Sequence, residues 1–273
     1  MIEGINMDKR PIGIFDSGIG GLTVAKEIFA CLPREDIVYF GDTARVPYGT
    51  KSPQTVKKFS CSNTKFLMSQ KVKIVIVACN TASATSFGKL RAEFPSIPII
   101  GVIGPAVKLA LMCTKNKKIG VIGTESTISS NAYLKEIRKF KSNVSLFGQS
   151  CPLFVPLVEE GWIDRKETLL IAKKYLTPLK RKKIDALILG CTHYPMLKSV
   201  IKKIMGKGVA VIDSARAVAE KCKKVLEEKG LFNGKKRNGW HKFFVSDNPL
   251  RFKRAGQKFL GRKIDKVAQI DIG

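Results

Sequence analysis

Two cysteines, Cys79 and Cys191, end two similar apolar runs and could form a pair of reactive thiols. Cys79 follows the run at 74–78, and Cys191 follows the run at 186–190. Each run is short, uninterrupted and rich in aliphatic residues, which is typical of a strand buried on both faces of a parallel sheet. Each thiol is therefore predicted just past the carboxyl end of a strand, where α/β sheets form their ligand-binding crevice.

The residues that follow each cysteine favour a chemical role for the thiols. Asn80 and Thr81 in one case, and Thr192 in the other, are able to cap the next helix. A thiol near a helix N-terminus has a lowered pKa, so we expect some thiolate near neutral pH. For either cysteine alone, a buried core residue is the simpler interpretation, but the equivalent placement of both favours a shared function.

Acids or bases are expected beside both thiols. His193 lies two residues beyond Cys191, and Asp16 could approach Cys79 if both faced one cleft. Proton transfer requires such neighbours. Glu159 follows the apolar run at 155–158 and is a further candidate, for which a solvated carboxylate at a helix end is the alternative interpretation.

The glycine-rich segment at 16–21 leaves a strand-like run and enters a helical pattern that begins at Leu22. Glycines allow a tight turn with exposed backbone N–H groups, and a helix N-terminus favours an anion. No Gly-Lys-Ser/Thr follows, so the segment is not a Walker loop. Asp16 would repel a pyrophosphate, and it suits a small substrate that carries an ammonium as well as a carboxylate. A purely structural turn remains the alternative.

Strand-like runs alternate with helix-like stretches along the chain, which predicts an α/β fold with mainly parallel sheets flanked by helices. The pattern at 12–17 recurs at 119–124, at nearly the same interval as the two cysteines. We therefore expect two similar domains with the active site between them, residues 8–104 plus 212–273 and residues 105–211. Chance similarity between α/β strands is the competing explanation.

Composition places the chain among reduced, cytoplasmic proteins. No apolar run approaches the roughly 20 residues that a membrane-spanning helix needs, and the N-terminal residues lack the pattern of a secretory signal. Seven cysteines without framework spacing predict free thiols. In a reduced compartment no disulfide is expected between the two candidate thiols. No metal site is expected either, because Cys191 and His193 offer only two ligands and His241 is the only other histidine.

The formal net charge of +27 could indicate nucleic-acid binding, because dense Lys and Arg attract phosphates. The basic residues are spread along the whole chain, with only short clusters at 180–183 and 235–237, and no nucleic-acid motif accompanies them. A solvated surface is the favoured interpretation, and nucleic acid is not expected as the main partner. The positive field would also attract an acidic substrate.

Four longer motifs, in this order along the chain, resemble glutamate racemases of the cofactor-independent aspartate/glutamate racemase superfamily: FDSGIGG at 15–21, GDTARVPYG at 41–49, ACNTAS at 78–83 and GCTHYP at 190–195. The resemblance runs from about Pro11 to the end of the chain. It implies two facing α/β domains, commonly in a homodimer, and no cofactor. It also implies interconversion of L- and D-glutamate for peptidoglycan synthesis.

The resemblance also implies roles for individual residues. Cys79 and Cys191 would be the acid/base pair, Asp16 and His193 would assist them, and Glu159 would be an additional carboxylate, with Glu160 as the alternative at that position. The residues that match substrate-contacting positions are Asp16, Ser17, Tyr48, Gly49, Cys79, Asn80, Thr81, Thr124, Thr127, Cys191, Thr192 and His193.

Inverting an α-carbon requires a base on one face and an acid on the other. We expect the thiolate of Cys79 to remove the proton of D-glutamate while the thiol of Cys191 protonates the opposite face, with the roles reversed for L-glutamate. Aspartate racemase activity follows the same two-thiol logic and is one alternative. A basic nucleic-acid-binding protein with an α/β scaffold is the other.

Overall fold

A computed structural model describes residues 7–272 as alternating strands and helices. The strands are β1 (Ile12–Asp16), β2 (Ile37–Gly41), β3 (Ile74–Val77), β4 (Ile99–Gly101), β5 (Lys118–Gly123), β6 (Ser145–Ser150), β7 (Ala186–Gly190), β8 (Ala210–Ile212), β9 (His241–Val245) and β10 (Val267–Gln269). The helices are α1 (Leu22–Cys31), α2 (Pro53–Ser69), α3 (Asn80–Glu93), α4 (Ile103–Cys113), α5 (Glu125–Ser129), α6 (Ala132–Lys139), α7 (Phe154–Glu159), α8 (Lys166–Arg181), α9 (Lys198–Met205), α10 (Ser214–Glu228) and α11 (Pro249–Leu260). None of these helices is long and apolar enough to span a bilayer.

The strands form two parallel sheets. The larger sheet has the order β10-β9-β2-β1-β3-β4, and the smaller has the order β6-β5-β7-β8. Every strand pair in both sheets is parallel. Strands β2-β1-β3-β4 of the first sheet therefore correspond one by one to β6-β5-β7-β8 of the second, so the predicted α/β fold with two similar parallel sheets is confirmed.

The central strands are apolar because helices cover both faces of each sheet. Every residue of β1, β3 and β7 is buried. The edge strand β6 is only partly buried and carries serine, glycine and glutamine. A strand of this kind lacks the apolar run that marks the central strands, and the sequence did not predict it.

The last part of the chain returns to the first sheet. Strand β9 pairs with β2, β10 pairs with β9, and α11 packs against α1. The chain leaves the second sheet between the end of β8 at Ile212 and the start of α10 at Ser214, close to the predicted crossing. The other predicted boundary, between 104 and 105, falls in the first turn of α4. The division into 8–104 plus 212–273 and 105–211 stays a prediction.

A buried ion pair fastens the start of the first sheet. Lys73 Nζ lies 2.5 Å from Glu35 Oε2, and both side chains are almost completely buried. Lys73 also donates to the backbone carbonyl of Asp8 at 2.9 Å, and Glu35 accepts from the backbone N–H of Asn233 at 3.0 Å. The pair thus joins four separate stretches of chain at the end of the sheet where β1 begins.

We expect the substitution Lys73→Met to lower the free energy of unfolding by about 3–5 kcal/mol, because it leaves the buried carboxylate of Glu35 without its counter-charge. Urea denaturation followed by circular dichroism measures the loss. The double variant Lys73→Met/Glu35→Gln should recover much of it, since the amide keeps the acceptor for Asn233 without the charge.

Lys224→Ala provides the control, because Lys224 forms an exposed ion pair with Glu228 at 3.6 Å. Exposed pairs of this kind contribute less than about 1 kcal/mol. Equal losses for Lys73→Met and Lys224→Ala would contradict the role given to the buried pair.

Candidate active site

The two predicted thiols occupy equivalent places in the two sheets. Cys79 lies two residues beyond the end of β3, and Cys191 directly follows β7. Their side chains are 5% and 7% exposed, and all seven cysteines of the chain are free thiols. Strands β3 and β7 both pair with the central strand of their sheet. The predicted placement of both thiols at the carboxyl ends of buried parallel strands is therefore confirmed.

The local structure behind each thiol differs from the prediction. Cys79, rather than Asn80, is the N-cap of α3, and its Sγ accepts a hydrogen bond from the backbone N–H of Ala82 at 3.5 Å. After Cys191 the chain forms a 3-10 turn at Tyr194–Leu197 before α9 begins. The expected capping by the polar residues after each cysteine is wrong.

Burial dominates the acidity of Cys79. It raises the pKa of Cys79 to about 12, and the nearby carboxylate of Asp16 adds to this increase. The backbone N–H of Ala82 and the hydroxyl of Ser17, which lies 3.8 Å from Sγ, lower the pKa by less. The lowered pKa expected from the helix N-terminus is therefore wrong for Cys79.

Threonine side chains join the carboxyl ends of the two sheets. Thr81, at the start of α3, lies 3.0 Å from the hydroxyl of Thr124 and 3.2 Å from that of Thr127, both in the turn and helix after β5. Thr23 of α1 donates to the backbone carbonyl of Thr192 at 3.2 Å. The two carboxyl ends therefore face each other, and Cys79 and Cys191 lie in the cleft between them.

Two glycines allow this close approach. A Cβ atom at Gly20 would lie 2.3 Å from Oγ1 of Thr192 and 2.5 Å from Nδ1 of His193. A Cβ atom at Gly49 would lie 2.6 Å from Cβ of Thr124. A side chain at either position would force these residues of the other half to shift, so glycine at both positions allows the observed closure.

Asp16, the last residue of β1, is completely buried beside the cleft. Its Oδ2 accepts from the backbone N–H of Gly18 at 3.0 Å, whereas Oδ1 has no hydrogen-bond partner among the described residues. Burial raises the pKa of Asp16, and the charge of His193 and the N–H groups of the glycine-rich turn oppose that rise. The carboxylate of Asp16 also raises the pKa of Cys79 on its own side of the cleft and that of His193 on the other side.

His193 connects the second thiol to a carboxylate. Its Nδ1 lies 3.9 Å from Cys191 Sγ, and its Nε2 lies 3.2 Å from Glu159 Oε1. Burial lowers the pKa of His193, but contacts with Cys191, Glu159 and Asp16 outweigh burial and raise it to about 10. The ring edge packs against Phe259 of α11. His193 is therefore held between Cys191 and a carboxylate, in surroundings that favour its protonated form.

Glu159, rather than Glu160, is the carboxylate in contact with the site. Burial alone would raise the pKa of Glu159, but the hydrogen bond and charge of His193, together with Arg251, lower it below its usual value. The side chain of Glu160 is 70% exposed, and it lies 3.9 Å from Arg251 on the outer side. A cavity of about 110 Å³ lies beside Glu159 and reaches Gly18 of the glycine-rich turn.

The hydroxyl of Tyr48 is fully engaged by other protein groups. It donates to Asp42 in a short hydrogen bond and accepts from Asn63 Nδ2 at 3.0 Å. Arg45 binds the same Asp42 carboxylate at 2.8 Å and donates to Asn63 Oδ1 at 3.1 Å. The turn that contains Tyr48 and Gly49 can therefore offer a ligand its backbone, while this buried network fixes its position. Sequence reasoning missed Asp42 and Asn63 as members of the site.

The remaining candidates also lie at the cleft. Ser17, Asn80 and Thr192 are buried there. Asn80 Oδ1 accepts a hydrogen bond from the hydroxyl of Tyr133 at 2.8 Å. No sequence motif predicted Tyr133 as part of the site. Within residues 7–272, no group of three or more His, Cys, Asp or Glu side chains is arranged to hold a metal ion.

The arrangement brings two thiols to one closed cleft and gives them different partners. The carboxylate of Asp16 lies on the side of Cys79, and the histidine–carboxylate pair of His193 and Glu159 lies on the side of Cys191. Chemically, such a site is able to move protons at an atom held between the thiols, because each thiol has a titratable neighbour.

Comparisons with known proteins agree with this geometry. Residues 12–222 match the Asp/Glu/Hydantoin racemase family. The glutamate racemase of Geobacter metallireducens is 48% identical over 266 residues, which cover 97% of this chain and 98% of that protein. The crystal structure of glutamate racemase from Francisella tularensis subsp. tularensis SCHU S4 in complex with D-glutamate is 43% identical. It has a TM-score of 0.92 and covers 97% of this chain and 99% of that one.

An aspartate racemase homologue from Pyrococcus horikoshii OT3 is more distant, with 17% identity, a TM-score of 0.57, and coverage of 80% of this chain and 99% of that one. At this identity the likeness shows a shared fold alone. The full-length similarity to glutamate racemases, together with the family match, establishes that the chain belongs to the glutamate racemases of the Asp/Glu/hydantoin racemase family.

Proposed function

We propose that the protein interconverts L- and D-glutamate, with Cys79 and Cys191 as the two acid/base residues. The observation that carries this proposal is the placement of two buried thiols at equivalent strand ends of two facing sheets. A substrate α-carbon held in the cleft would have one thiol on each face. The membership of the chain in the glutamate racemases supports glutamate as the substrate.

The polar groups of the cleft suit an amino acid. Asp16 Oδ1 is buried and has no hydrogen-bond partner in the part of the chain that the structure describes, so an ammonium group would satisfy an atom that is otherwise costly to bury. The backbone N–H of Gly20 and the hydroxyls of Thr81, Thr124 and Thr127 are donors of the kind that carboxylates accept. We assign Asp16 to the ammonium and the threonines to a carboxylate.

Substrate binding provides a reason for Cys79 to ionise. In the free enzyme its pKa is raised to about 12, and part of that rise comes from the carboxylate of Asp16. An ammonium group beside Asp16 would offset this negative charge and favour the thiolate. The base would therefore form mainly when the substrate is in place.

The reaction then needs one proton removed and one delivered. The thiolate of Cys79 takes the α-proton of D-glutamate, and the thiol of Cys191 gives its proton to the opposite face, which yields L-glutamate. The reverse reaction begins with Cys191 as thiolate. Asp16, whose charge acts on Cys79, and His193, which contacts Cys191, are our candidates for returning each thiol to its starting state.

Removing an α-proton without a cofactor requires strong stabilisation of the developing negative charge. Hydrogen-bond donors fixed in advance act most strongly where water is excluded. The ring of His193, when protonated, and the backbone N–H of Gly20 are such donors, and both lie where the two halves are in contact. These groups are our candidates for the stabilising set.

The membership of the chain in the glutamate racemases supports three further proposals. The D-glutamate produced would serve peptidoglycan synthesis, the protein would act in the cytoplasm, and two copies would form a homodimer. The pattern of free cysteines is consistent with a reducing compartment.

Purified protein mixed with D-glutamate, without added cofactor, should lose its circular dichroism signal until none remains, because equal amounts of the two enantiomers cancel. L-glutamate should decay to the same endpoint, and aspartate should react at least about a hundredfold more slowly, since its side chain is one methylene shorter and its carboxylate misses its partners. Faster turnover of aspartate than of glutamate would instead identify the protein as an aspartate racemase.

Single-cysteine variants should separate the roles of the two thiols. Cys79→Ala and Cys191→Ala should each reduce racemisation at least about 10²–10⁴-fold, because an acid or base is missing. A glutamate with chloride on its β-carbon isolates proton removal. The base takes the α-proton, the electron pair forms a Cα=Cβ bond, chloride leaves, and hydrolysis of the enamine gives 2-oxoglutarate and ammonium. Cys191→Ala should release chloride only from the D-enantiomer, and Cys79→Ala only from the L-enantiomer.

Cys222→Ala is the matched control, because Cys222 is a completely buried thiol on α10. This variant should keep racemisation and chloride release from both enantiomers. Chloride release from both enantiomers by either single variant would refute the assignment of one face to each thiol.

The two histidines should show opposite charge states in ¹⁵N NMR spectra of histidine-labelled protein. His193, with a pKa raised to about 10, should be an imidazolium at pH 7.5, whereas His241, with a pKa lowered to about 4 by burial and by Arg262, should be neutral. Glu159→Gln should lower the pKa of His193, because it removes a negative charge 3.2 Å from Nε2.

The raised pKa of His193 also makes the stability of the protein depend on pH. Its contribution to the free energy of unfolding is fully present below its usual pKa of 6.5 and is lost as the pH rises through about 10. In Glu159→Gln the loss should still begin near pH 6.5, but it should be smaller and should be complete at a lower pH in urea titrations. A His193 ring that is neutral at pH 7.5 in the unaltered protein would contradict the assigned charge.

A further inference from the structure

The hydroxyl of Tyr133 forms a hydrogen bond between the two halves of the molecule. Tyr133 lies on α6 near the smaller sheet and is 2% exposed. Its hydroxyl donates to Oδ1 of Asn80 at 2.8 Å, and Asn80 is the first residue of α3 beside the larger sheet. The bond therefore crosses the cleft at the residue that follows Cys79.

The same hydroxyl lies against the backbone that carries the second thiol. A Cβ atom at Gly190 would lie 3.3 Å from it, so the missing side chain at Gly190 leaves room for the phenol. Gly190 directly precedes Cys191. One buried hydroxyl is thus placed between the backbone segments of both candidate acid/base residues.

The hydroxyl of Tyr133 keeps its proton at neutral pH and is able to donate a hydrogen bond. Burial and the nearby Cys191 raise its pKa well above the usual value, so the phenol stays protonated. In the structure this phenol donates to the amide oxygen of Asn80 and does not accept from the amide nitrogen, so Oδ1 faces Tyr133. The Nδ2 group of Asn80 is thereby turned away from Tyr133. It donates to no group within residues 7–272, so it is able to donate to a ligand.

We propose that Tyr133 is a positioning residue: it fixes the amide of Asn80 so that Nδ2 donates to a carboxylate of the substrate. This inference rests on the proposed function, in which Asn80 contacts glutamate. Without the hydroxyl, the Asn80 amide would be able to rotate, and its oxygen would then face the carboxylate in a fraction of molecules.

Tyr194 offers a matched control for a purely structural role. It is also completely buried and lies three residues beyond Cys191, but its hydroxyl donates to the backbone carbonyl of Cys151 at 3.0 Å. Tyr133→Phe and Tyr194→Phe each remove one buried hydroxyl of the same chemistry. Only Tyr133→Phe removes a hydroxyl that contacts a side chain assigned to substrate binding, namely Asn80.

The test measures kcat, KM and Tm for Tyr133→Phe, Asn80→Ala, the double variant and Tyr194→Phe, with D- and L-glutamate. Tyr133→Phe should raise KM about tenfold for both enantiomers, the size expected for one lost hydrogen bond, and change kcat less. In the Asn80→Ala background it should raise KM no further. Tyr194→Phe should lower Tm without changing KM.

Tm gives a second readout that does not depend on activity. In Asn80→Ala the hydroxyl of Tyr133 stays buried without its acceptor, so adding Tyr133→Phe should raise Tm above that of Asn80→Ala alone. The inference is overturned if KM is unchanged in Tyr133→Phe, if its effect adds fully to that of Asn80→Ala, or if the double variant gains no stability. An unaltered protein that fails to racemise glutamate would overturn the proposed function, and this inference with it.

Discussion

The exclusion of water from the cleft between the two sheets is the constraint on which the other features of the site depend. Asp16, Cys79 and His193 lie where the carboxyl ends of the sheets meet, and burial shifts the pKa of each. Burial favours the neutral form of all three side chains, and at His193 contacts with other groups outweigh burial and raise the pKa. The same closeness requires glycine at positions 20 and 49, where any Cβ atom would collide with the opposite half.

The sequence predicted the parts of the fold that depend on local pattern. The apolar runs of β1, β3 and β7 are buried on both faces, so their positions, and with them the places of Cys79 and Cys191, were evident from composition. The sequence predicts a lowered pKa for Cys79, whereas the structure raises it. The prediction considered the helix N-terminus, which lowers the pKa of a thiol, but not burial, which raises it more. Burial is the sum of many contacts distant in sequence. Tyr133 and Asn63 were missed for the same reason, since their partners lie far away along the chain.

The two halves match in topology and differ in chemistry. Strands β2-β1-β3-β4 and β6-β5-β7-β8 follow the same order, so Cys79 and Cys191 are structurally equivalent. The residue two positions beyond each thiol is Thr81 on one side and His193 on the other. The carboxylate of Asp16 at the end of β1 has Gly123 as its counterpart at the end of β5. A repeated fold therefore supplies the opposed positions, and single residues make the two faces unlike.

Thermodynamics limits what this chemical difference between the faces can change. The two enantiomers of glutamate have equal free energies in solution, so kcat/KM must be the same in both directions whatever residues surround each thiol. A neighbouring carboxylate makes the thiol of Cys79 a stronger base and also a rarer thiolate, and these two effects oppose each other. Because the ratio is fixed, an enantiomer that binds more tightly must also turn over more slowly in the same proportion. The unlike partners of Cys79 and Cys191 are therefore free to set which enantiomer the enzyme holds longer, but not the direction in which the reaction runs.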